Sequence, residues 1–187
     1  MRITIKAASL SITRLKEKNS VEKVLYLNSV RKNPSLALDK KYQTTFNDYY
    51  KVRQKSSEFY KSFYALLNET AKKPAGVTIE KLLNKLYIKT EERHLSFCSK
   101  ILATVRNDAV IFDKNVASQL NVPSKSLPKK DWEFVAKKRY SLIKRGLEKI
   151  FKQSNWVSIE LMFDQSFPEG ANLTRFRKVD LILWRLI

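Results

Sequence analysis

Cysteine, histidine and glycine are scarce in this chain. Its 187 residues include one cysteine, Cys98, and one histidine, His94. A single cysteine excludes a disulfide framework and a cysteine-based metal site, and a single histidine excludes ligation of a metal by several histidines. We therefore expect neither a metal nor an organic cofactor, and a reducing compartment fits. With three glycines and long stretches free of glycine and proline, the sequence favours helices over a turn-rich β fold.

Long apolar runs are also missing. No segment reaches the roughly 18 consecutive apolar residues of a membrane span, so we expect no membrane partner. The first residues, Met1 to Arg14, are basic and free of acids, as in a transit peptide, but the alternation of Ile3 and Ile5 fits a short strand equally well. We treat this segment as part of the folded protein and expect a cytoplasmic location, associated with the bacterial nucleoid if the protein binds DNA.

Acidic residues are few relative to basic ones. The chain has 37 Lys and Arg against 18 Asp and Glu, a net charge of +19 and a sequence pI near 10.0. Such an excess predicts a polyanionic partner, and nucleic acid is a commoner partner than a membrane surface. The simpler alternative is a Lys-rich protein whose basic faces are merely solvated. Charge alone does not distinguish DNA from RNA, and the sequence says nothing about oligomeric state.

Apolar spacing predicts a mostly α protein. Hydrophobic residues make up 43% of the chain, enough for one sizeable core, and they recur at helical intervals through most of it. Aromatic residues between Tyr42 and Tyr64 recur at spacings of three and four, which predicts one long helix or two consecutive ones. We expect a single-domain helical bundle with at most one short strand, at the N-terminus. Residues 1–37 would pack as a segment on a core formed by residues 38–187.

Asp113 is the best candidate for chemistry. It follows an apolar run that ends at Phe112 and precedes a short helical pattern from Lys114 to Leu120. Asp is also among the best N-cap residues, so a purely structural role at the start of that helix explains the residue type too. The two roles are compatible, because a carboxylate that accepts helix N-terminal amides is held ionised and oriented.

Two predicted helices and two short motifs follow one another in the middle of the chain. A helix over 79–88, capped by Thr78, a polar turn over 89–93 and a helix over 95–106 precede an Asp-x-x-Val element at Asp113 and Val116. Leu120-Asn121-Val122 comes next. This order resembles the helix-hairpin-helix DNA glycosylase superfamily, which has Leu-Gly-Leu at the last element. The stretch DKKYQTTFNDYYKVR (39–53) and the closing VDLILW (179–184) are similar to bacterial proteins with the 8-oxoguanine DNA glycosylase fold. The resemblance covers 38–187.

The resemblance implies a DNA N-glycosylase that acts on a modified or damaged base in repair or defence. Excision requires a carboxylate that stabilises an oxocarbenium-like sugar and positions a nucleophile, and in that family the matching residue is Asp113. The target nucleotide must also leave the base stack and enter a pocket. Candidates for that pocket, each with an ordinary core or surface role as the alternative, are Gln43, Asn47, Tyr50, Phe112 and Trp132.

Two features depart from the family pattern. The polar turn contains no glycine, so phosphate contacts would have to come from Lys89, Thr90 and Arg93 rather than from closely approaching amides. The position of the lysine used by bifunctional members is occupied by His94, so that no lysine inherits the Schiff-base role. Lys100 is closer to Asp113 in sequence and would become nucleophilic if desolvated, although a surface lysine is the simpler interpretation.

Basic residues interleaved with aromatic ones, or crowded on one helix, predict phosphate contacts that do not depend on sequence. Together with the polar turn, the predicted nucleic-acid contacts are Lys51, Arg53, Lys55, Lys89, Thr90, Arg93, Lys137, Lys138, Arg139, Lys144 and Arg145.

Three hypotheses follow. The first is a glycosylase-like enzyme that depends on Asp113, with duplex DNA as its partner. The second is a protein of the same fold that binds DNA without catalysis, which the missing glycines and lysine favour. The third is a basic helical RNA-binding or ribonucleoprotein component, for which Asp113 is incidental.

Overall fold

Helices form all the regular secondary structure that the computed structural model describes, which covers residues 1–53 and 55–186. In these ranges the ten α-helices are α1 (Ile5–Glu17), α2 (Ser20–Asn28), α3 (Lys40–Tyr50), α4 (Ser57–Lys72), α5 (Ile79–Thr90), α6 (Leu95–Val105), α7 (Lys114–Gln119), α8 (Trp132–Phe151), α9 (Trp156–Ser166) and α10 (Arg175–Trp184). Short 3-10 helices occupy Ser29–Arg31, Pro34–Leu38 and Pro168–Gly170. The prediction of a mostly α bundle is confirmed. The N-terminal segment is helical from Ile5, where a short strand was one possibility.

Side-chain caps fix where many of these helices begin. At each such start a Ser, Thr or Asp oxygen accepts a hydrogen bond from a backbone amide two or three residues later, which satisfies one of the unpaired donors of the first turn. The capping residues are Thr4, Asp39, Ser56, Thr78, Asp113 and Thr174. The caps expected at Thr78 and Asp113 are therefore present.

The aromatic residues between 42 and 64 form the centre of the core rather than a surface. They lie on two helices, α3 and α4, because the chain turns at Lys51, which has a left-handed φ of +55°. Phe46 is fully buried, and its ring centroid lies 5.5 Å from that of Phe63 on α4 and 4.6 Å from that of Tyr50. Burial of these rings is the main apolar contribution that this part of the chain makes to stability.

The first 37 residues share one buried core with the rest of the described chain. Helix α1 contacts α9 and α10, and α2 contacts α3, where the Tyr42 hydroxyl donates a hydrogen bond of 2.7 Å to the Leu27 carbonyl. The backbone amide of Ile3 donates to Gln153 Oε1 at 3.1 Å. The N-terminal helices therefore pack on α3 and α10, two of the helices that contribute residues to the candidate site described below.

Helices α5 and α6 pack on each other and on α4, and the loop 91–94 joins them. Glu91 ends α5 in the left-handed conformation, with a φ of +55°. The loop therefore makes the backbone turn that glycine usually makes, at the modest cost of placing a Cβ in that region. Within residues 1–53 and 55–186, no helix is both long and apolar enough to cross a lipid bilayer.

Candidate functional site

A cavity of about 190 Å³ lies where α3, α6, α7 and α10 converge. We call it the Asp113 cavity. Its polar lining comes mainly from Lys100 on α6, Asp113 at the start of α7, and Arg177 and Asp180 on α10. Arg177 and Asp180 are neighbours on one helix, and the tertiary fold brings Lys100 and Asp113 to them.

Asp113 both caps α7 and lines this cavity. Its Oδ1 accepts a hydrogen bond of 2.8 Å from the Asn115 amide. The preceding residues Ile111 and Phe112 are buried, and Ser99 Oγ accepts the Phe112 amide at 2.9 Å, which anchors the chain just before the carboxylate. The side chain is half-buried. The cap holds the carboxylate in a fixed orientation at the cavity wall, with favourable helix N-terminal electrostatics.

Lys100 is a buried amine at the same cavity, with 4% of its surface exposed. Its Nζ donates to the Tyr50 carbonyl at 3.3 Å and to Ser96 Oγ at 3.1 Å. The Tyr50 carbonyl is free to accept because the last carbonyls of a helix have no partner within it, and α3 ends at Tyr50. Burial lowers the pKa of Lys100, while the carboxylate of Asp113 acts in the opposite direction.

Arg177, Asp180 and Tyr50 form a hydrogen-bonded group at the inner wall. Arg177 donates from Nη1 to Asp180 Oδ2 at 2.8 Å and from Nη2 to the Tyr50 hydroxyl at 2.7 Å. Burial raises the pKa of Asp180 to about 7, against the lowering effect of Arg177. The cavity therefore contains two carboxyl groups in different surroundings, one half-exposed on a helix cap and one buried.

Aromatic and aliphatic side chains complete the lining. Tyr49 and Trp184 pack edge to face with ring centroids 5.3 Å apart, and both line the cavity together with Tyr50 and Ile111. Trp184 is half-buried. Flat apolar walls around a few polar groups are typical of sites that bind a planar ring system.

A larger depression of about 780 Å³, here called the basic groove, adjoins the cavity and shares Tyr50, Lys51, Lys100, Asp113 and Lys114 with it. It runs past the α5–α6 loop and the segment before α8. Its basic residues are Lys51, Arg93, Lys100, Lys114, Lys125 and Arg139, and its acidic residues are Glu91, Glu92 and Asp113. The groove therefore has more cationic than anionic side chains.

Of the predicted nucleic-acid contacts, Lys51, Arg93 and Arg139 line the basic groove. The Arg139 guanidinium is held by a hydrogen bond to the Lys125 carbonyl, and that of Arg93 lies 5.3 Å from the Tyr87 ring centroid. Lys55 borders the groove, where it pairs with Glu92 and packs over the Phe59 ring.

The remaining predicted contacts lie outside the lining of the groove and the Asp113 cavity. They are Arg53, Lys89, Thr90, Lys137, Lys138, Lys144 and Arg145. Some already have partners in the fold: the Thr90 hydroxyl donates to the Leu86 carbonyl at 2.8 Å, and Lys137 pairs with Glu80 at 3.3 Å. A role in phosphate binding remains a prediction for these residues.

Among the residues predicted for a base pocket, Tyr50 lines the cavity and Phe112 lines the groove. Gln43 and Asn47 do not line either one, because internal partners occupy their side chains. Gln43 Nε2 donates to the Ala37 carbonyl at 3.0 Å, and Asn47 Oδ1 accepts from the Tyr64 hydroxyl at 2.7 Å. Trp132 instead packs on Tyr87, with ring centroids 5.2 Å apart.

His94 and Cys98 are packed against other residues of the fold, and neither lines the Asp113 cavity. The His94 imidazole lies between Glu92 and Lys55, edge to face with Phe59, and burial lowers its pKa. It lines the groove but not the Asp113 cavity. Cys98 is fully buried, and burial raises the pKa of its thiol, as expected for a core cysteine. Among the described residues, no group of three or more His, Cys, Asp or Glu side chains is arranged to hold a metal ion.

Sequence reasoning missed Arg177, Asp180 and Trp184 as site residues. One signal was present: Asp180 lies four residues after Phe176 and three before Leu183, so it falls on the apolar stripe of the last helix. A charged residue on such a stripe is almost never fully buried without a partner, which makes it a candidate for function.

No protein-family model, no curated protein and no solved structure matches this chain.

Proposed function

We propose that this protein binds duplex DNA along the basic groove and excises a base that enters the Asp113 cavity. The observation that carries this proposal is the position of the Asp113 carboxylate, at the wall of a small aromatic-lined cavity that adjoins a cationic surface. The groups for gripping a phosphate backbone, holding a flat ring and stabilising a cationic sugar are thus close together.

Cavity size favours a single ring system as the occupant. An apolar protein cavity of about 150 Å³ can hold a benzene molecule. The Asp113 cavity, at about 190 Å³, suits one base but not a base together with its sugar and phosphate. In that arrangement the sugar would remain at the mouth of the cavity, near the half-buried Asp113 and the aromatic ring of Trp184.

Asp113 would act on the sugar. As the bond between C1′ and the base lengthens, positive charge develops on the sugar ring, and an ionised carboxylate beside it stabilises that charge. The same carboxylate accepts a proton from the water that adds to C1′. The cap hydrogen bond from the Asn115 amide keeps one oxygen oriented and leaves the second free for this work.

A second candidate mechanism uses Lys100 as the nucleophile. The observation that favours it is the burial of the amine at the cavity, which lowers its pKa and raises the fraction without a proton. In that mechanism the amine attacks C1′, the base departs, and the resulting imine is trapped as a covalent protein–DNA complex by borohydride. Hydrolysis through Asp113 leaves no trapped complex, and Lys100→Met abolishes trapping only if the amine is the nucleophile.

The proposal is tested by base release. Purified protein is incubated with duplex oligonucleotides that each carry one altered base (8-oxoguanine, uracil, hypoxanthine or 7-methylguanine), and the free base released, which leaves an abasic site, is separated by chromatography and compared with a protein-free control. We expect release of at least one of these bases. If the protein binds the duplexes but produces no abasic sites, it is a DNA-binding protein without glycosylase activity. If structured RNA outcompetes duplex DNA at physiological ionic strength, the RNA-binding hypothesis replaces the proposal.

A further inference from the structure

Asp180 is a second carboxyl group in the Asp113 cavity, and its role goes beyond what Asp113 alone can do. We infer that Asp180 delivers a proton to the departing base while Asp113 stabilises the sugar, an assignment that rests on the proposed function. The observations behind it are the burial of Asp180, the hydrogen bond to one of its two oxygens, and its position in the cavity lining on the last helix.

The two oxygens of Asp180 differ in their partners. Arg177 Nη1 donates to Oδ2 at 2.8 Å, which makes Oδ2 the oxygen that accepts. Oδ1 is buried and has no hydrogen-bond partner among the residues that the structure describes. The side chain is 10% exposed. A buried carboxyl oxygen without a donor is unfavourable as part of an anion, so these surroundings favour the protonated form of the Asp180 carboxyl group.

The electrostatic surroundings of Asp180 support a protonated state near neutral pH. Burial raises its pKa to about 7, a value at which a carboxylic acid is an effective proton donor under physiological conditions. Charged and titratable groups face it from every neighbouring helix of the cavity: Arg177 on α10, Lys100 on α6, Asp113 at α7, and Tyr49 and Tyr50 on α3. Arg177 and Lys100 stabilise the anion, whereas Asp113 disfavours it.

The bond changes balance. The bond between C1′ and the base nitrogen breaks, its electron pair goes to the base, and the proton on the Asp180 carboxyl group moves to a ring nitrogen or carbonyl oxygen of the base. Water adds to C1′ and gives one proton to the Asp113 carboxylate. The products are a neutral free base and an abasic sugar. Asp113 then loses its proton to solvent and Asp180 regains one, which restores the starting state.

Two carboxyl groups with different protonation states are the arrangement by which glycosidic bonds are commonly cleaved. Arg177 makes the transfer easier, because its guanidinium already touches the carboxyl group that becomes an anion. This division of roles specifies the substrate class: Asp180 is needed for bases that would otherwise depart as anions, such as hypoxanthine, 8-oxoguanine or uracil. A base that already carries a positive charge, such as 7-methylguanine, departs neutral without a proton.

The experiment compares single-turnover release of two bases by wild-type protein and Asp180→Asn. One base is whichever anionic leaving group the wild-type protein excises, and the other is 7-methylguanine. We expect Asp180→Asn to slow release of the first by about 100- to 10,000-fold, the usual contribution of a general acid, and to leave release of 7-methylguanine nearly unchanged. Asp164→Asn is the matched control. Asp164 lies on α9 and accepts a hydrogen bond from Lys178 of α10, the helix that carries Asp180, but it does not line the cavity.

The pH profile gives a second readout. Wild-type release of the first base should fall as pH rises through about 7, where Asp180 loses its proton, and Asp180→Asn should lack this fall. If 7-methylguanine does not enter the cavity, or if the variant fails to fold, the wild-type pH profile alone tests the inference. The wild-type rate of base release must then fall as pH rises through about 7.

Three results would overturn the inference. Equal slowing of both bases would mean that Asp180 supports the shape of the cavity rather than donating a proton. Unchanged release of both would mean that it has no role in the reaction. A flat wild-type pH profile across neutrality would exclude a proton donor with this titration. If the wild-type protein released no base at all, the proposed function would fail, a result distinct from these three.

Discussion

Arg177 on α10 donates from Nη2 to the Tyr50 hydroxyl at the end of α3, at 2.7 Å. This hydrogen bond crosses the inner wall of the Asp113 cavity and joins two helices that are more than a hundred residues apart in sequence. Both residues are buried. The geometry of the cavity therefore depends on a polar contact between buried side chains, where an unsatisfied donor is costly.

Tyr50→Phe should destabilise the protein through that contact. The substitution leaves the ring in place but removes the acceptor of Arg177 Nη2, and a buried donor without a partner costs about 1–3 kcal/mol. Tyr60→Phe is the control, because it removes a half-buried hydroxyl that donates to the Val52 carbonyl at 3.1 Å. Urea unfolding should give the larger loss of unfolding free energy for Tyr50→Phe. A loss no larger than that of Tyr60→Phe would contradict this view of the cavity wall.

Asp180→Asn should change how stability depends on pH. Burial raises the folded-state pKa of Asp180 to about 7, well above the ordinary value of 3.8. Between these values the folded state binds more protons than the unfolded state, so the contribution of Asp180 is fully present below about pH 4 and is lost as pH rises towards 7.

Because Asn does not titrate, the stability of Asp180→Asn relative to wild type should rise between pH 4 and 7. The Asn carbonyl oxygen can still accept from Arg177, and a weaker hydrogen bond there adds an offset that does not vary with pH in this range. Chemical denaturation at several pH values measures the difference. A constant difference from pH 4 to 7 would show that Asp180 is ionised in the folded protein throughout.

Lys114→Gln and Lys125→Gln should weaken DNA binding and reduce its dependence on salt. Both residues are exposed and line the basic groove. Loss of one phosphate contact reduces the magnitude of the slope of log K against log salt concentration by about 1. Lys6→Gln also removes one positive charge. Lys6 is exposed on α1, which packs on α9 and α10, and it does not line the groove, so this substitution should leave the slope unchanged. Equal effects of all three substitutions would indicate diffuse attraction without a defined groove.

Gly170→Ala should destabilise the fold away from the site. A Cβ at Gly170 would lie 2.7 Å from Val21 Cγ1, and Val21 is buried and stiff because it is β-branched. Overpacking of this kind costs about 1–3 kcal/mol. The double variant with Val21→Ala should lose less unfolding free energy than the sum of the two single variants. Additive losses would mean that the two residues do not interact.

Sequence patterns predicted local features of this fold well. Apolar spacing predicted α5 and α6, and residue type predicted the caps at Thr78 and Asp113, because these depend on neighbours within one or two turns. Residue type alone did not predict the position of Lys100. The simpler interpretation was a surface lysine, and it is wrong: the tight end of α3 brings the Tyr50 carbonyl to the amine, so Lys100 is buried at the cavity.

Contacts between distant elements decided the rest of the site. Gln43 and Asn47 looked available on an exposed helix face, but the Ala37 carbonyl and the Tyr64 hydroxyl occupy them. Asp180 has a local partner, Arg177, three residues earlier on α10, but the cavity that it faces exists only once α10 packs against α3 and α7. Which polar side chains converge is set by tertiary packing, which periodicity does not encode.

In the proposed reaction the Asp113 carboxylate performs the chemistry and is more than a helix cap. Asp113→Asn separates the two roles, since Asn also caps helices well and removes only the ionised oxygen. Asp39→Asn is the matched control, because Asp39 caps α3 by accepting the Tyr42 amide at 2.8 Å and does not line the cavity. Single-turnover base release should fall by about 100- to 10,000-fold in Asp113→Asn, with DNA affinity and thermal stability close to wild type. Base release at the wild-type rate by Asp113→Asn would mean that the Asp113 carboxylate does not perform the chemistry.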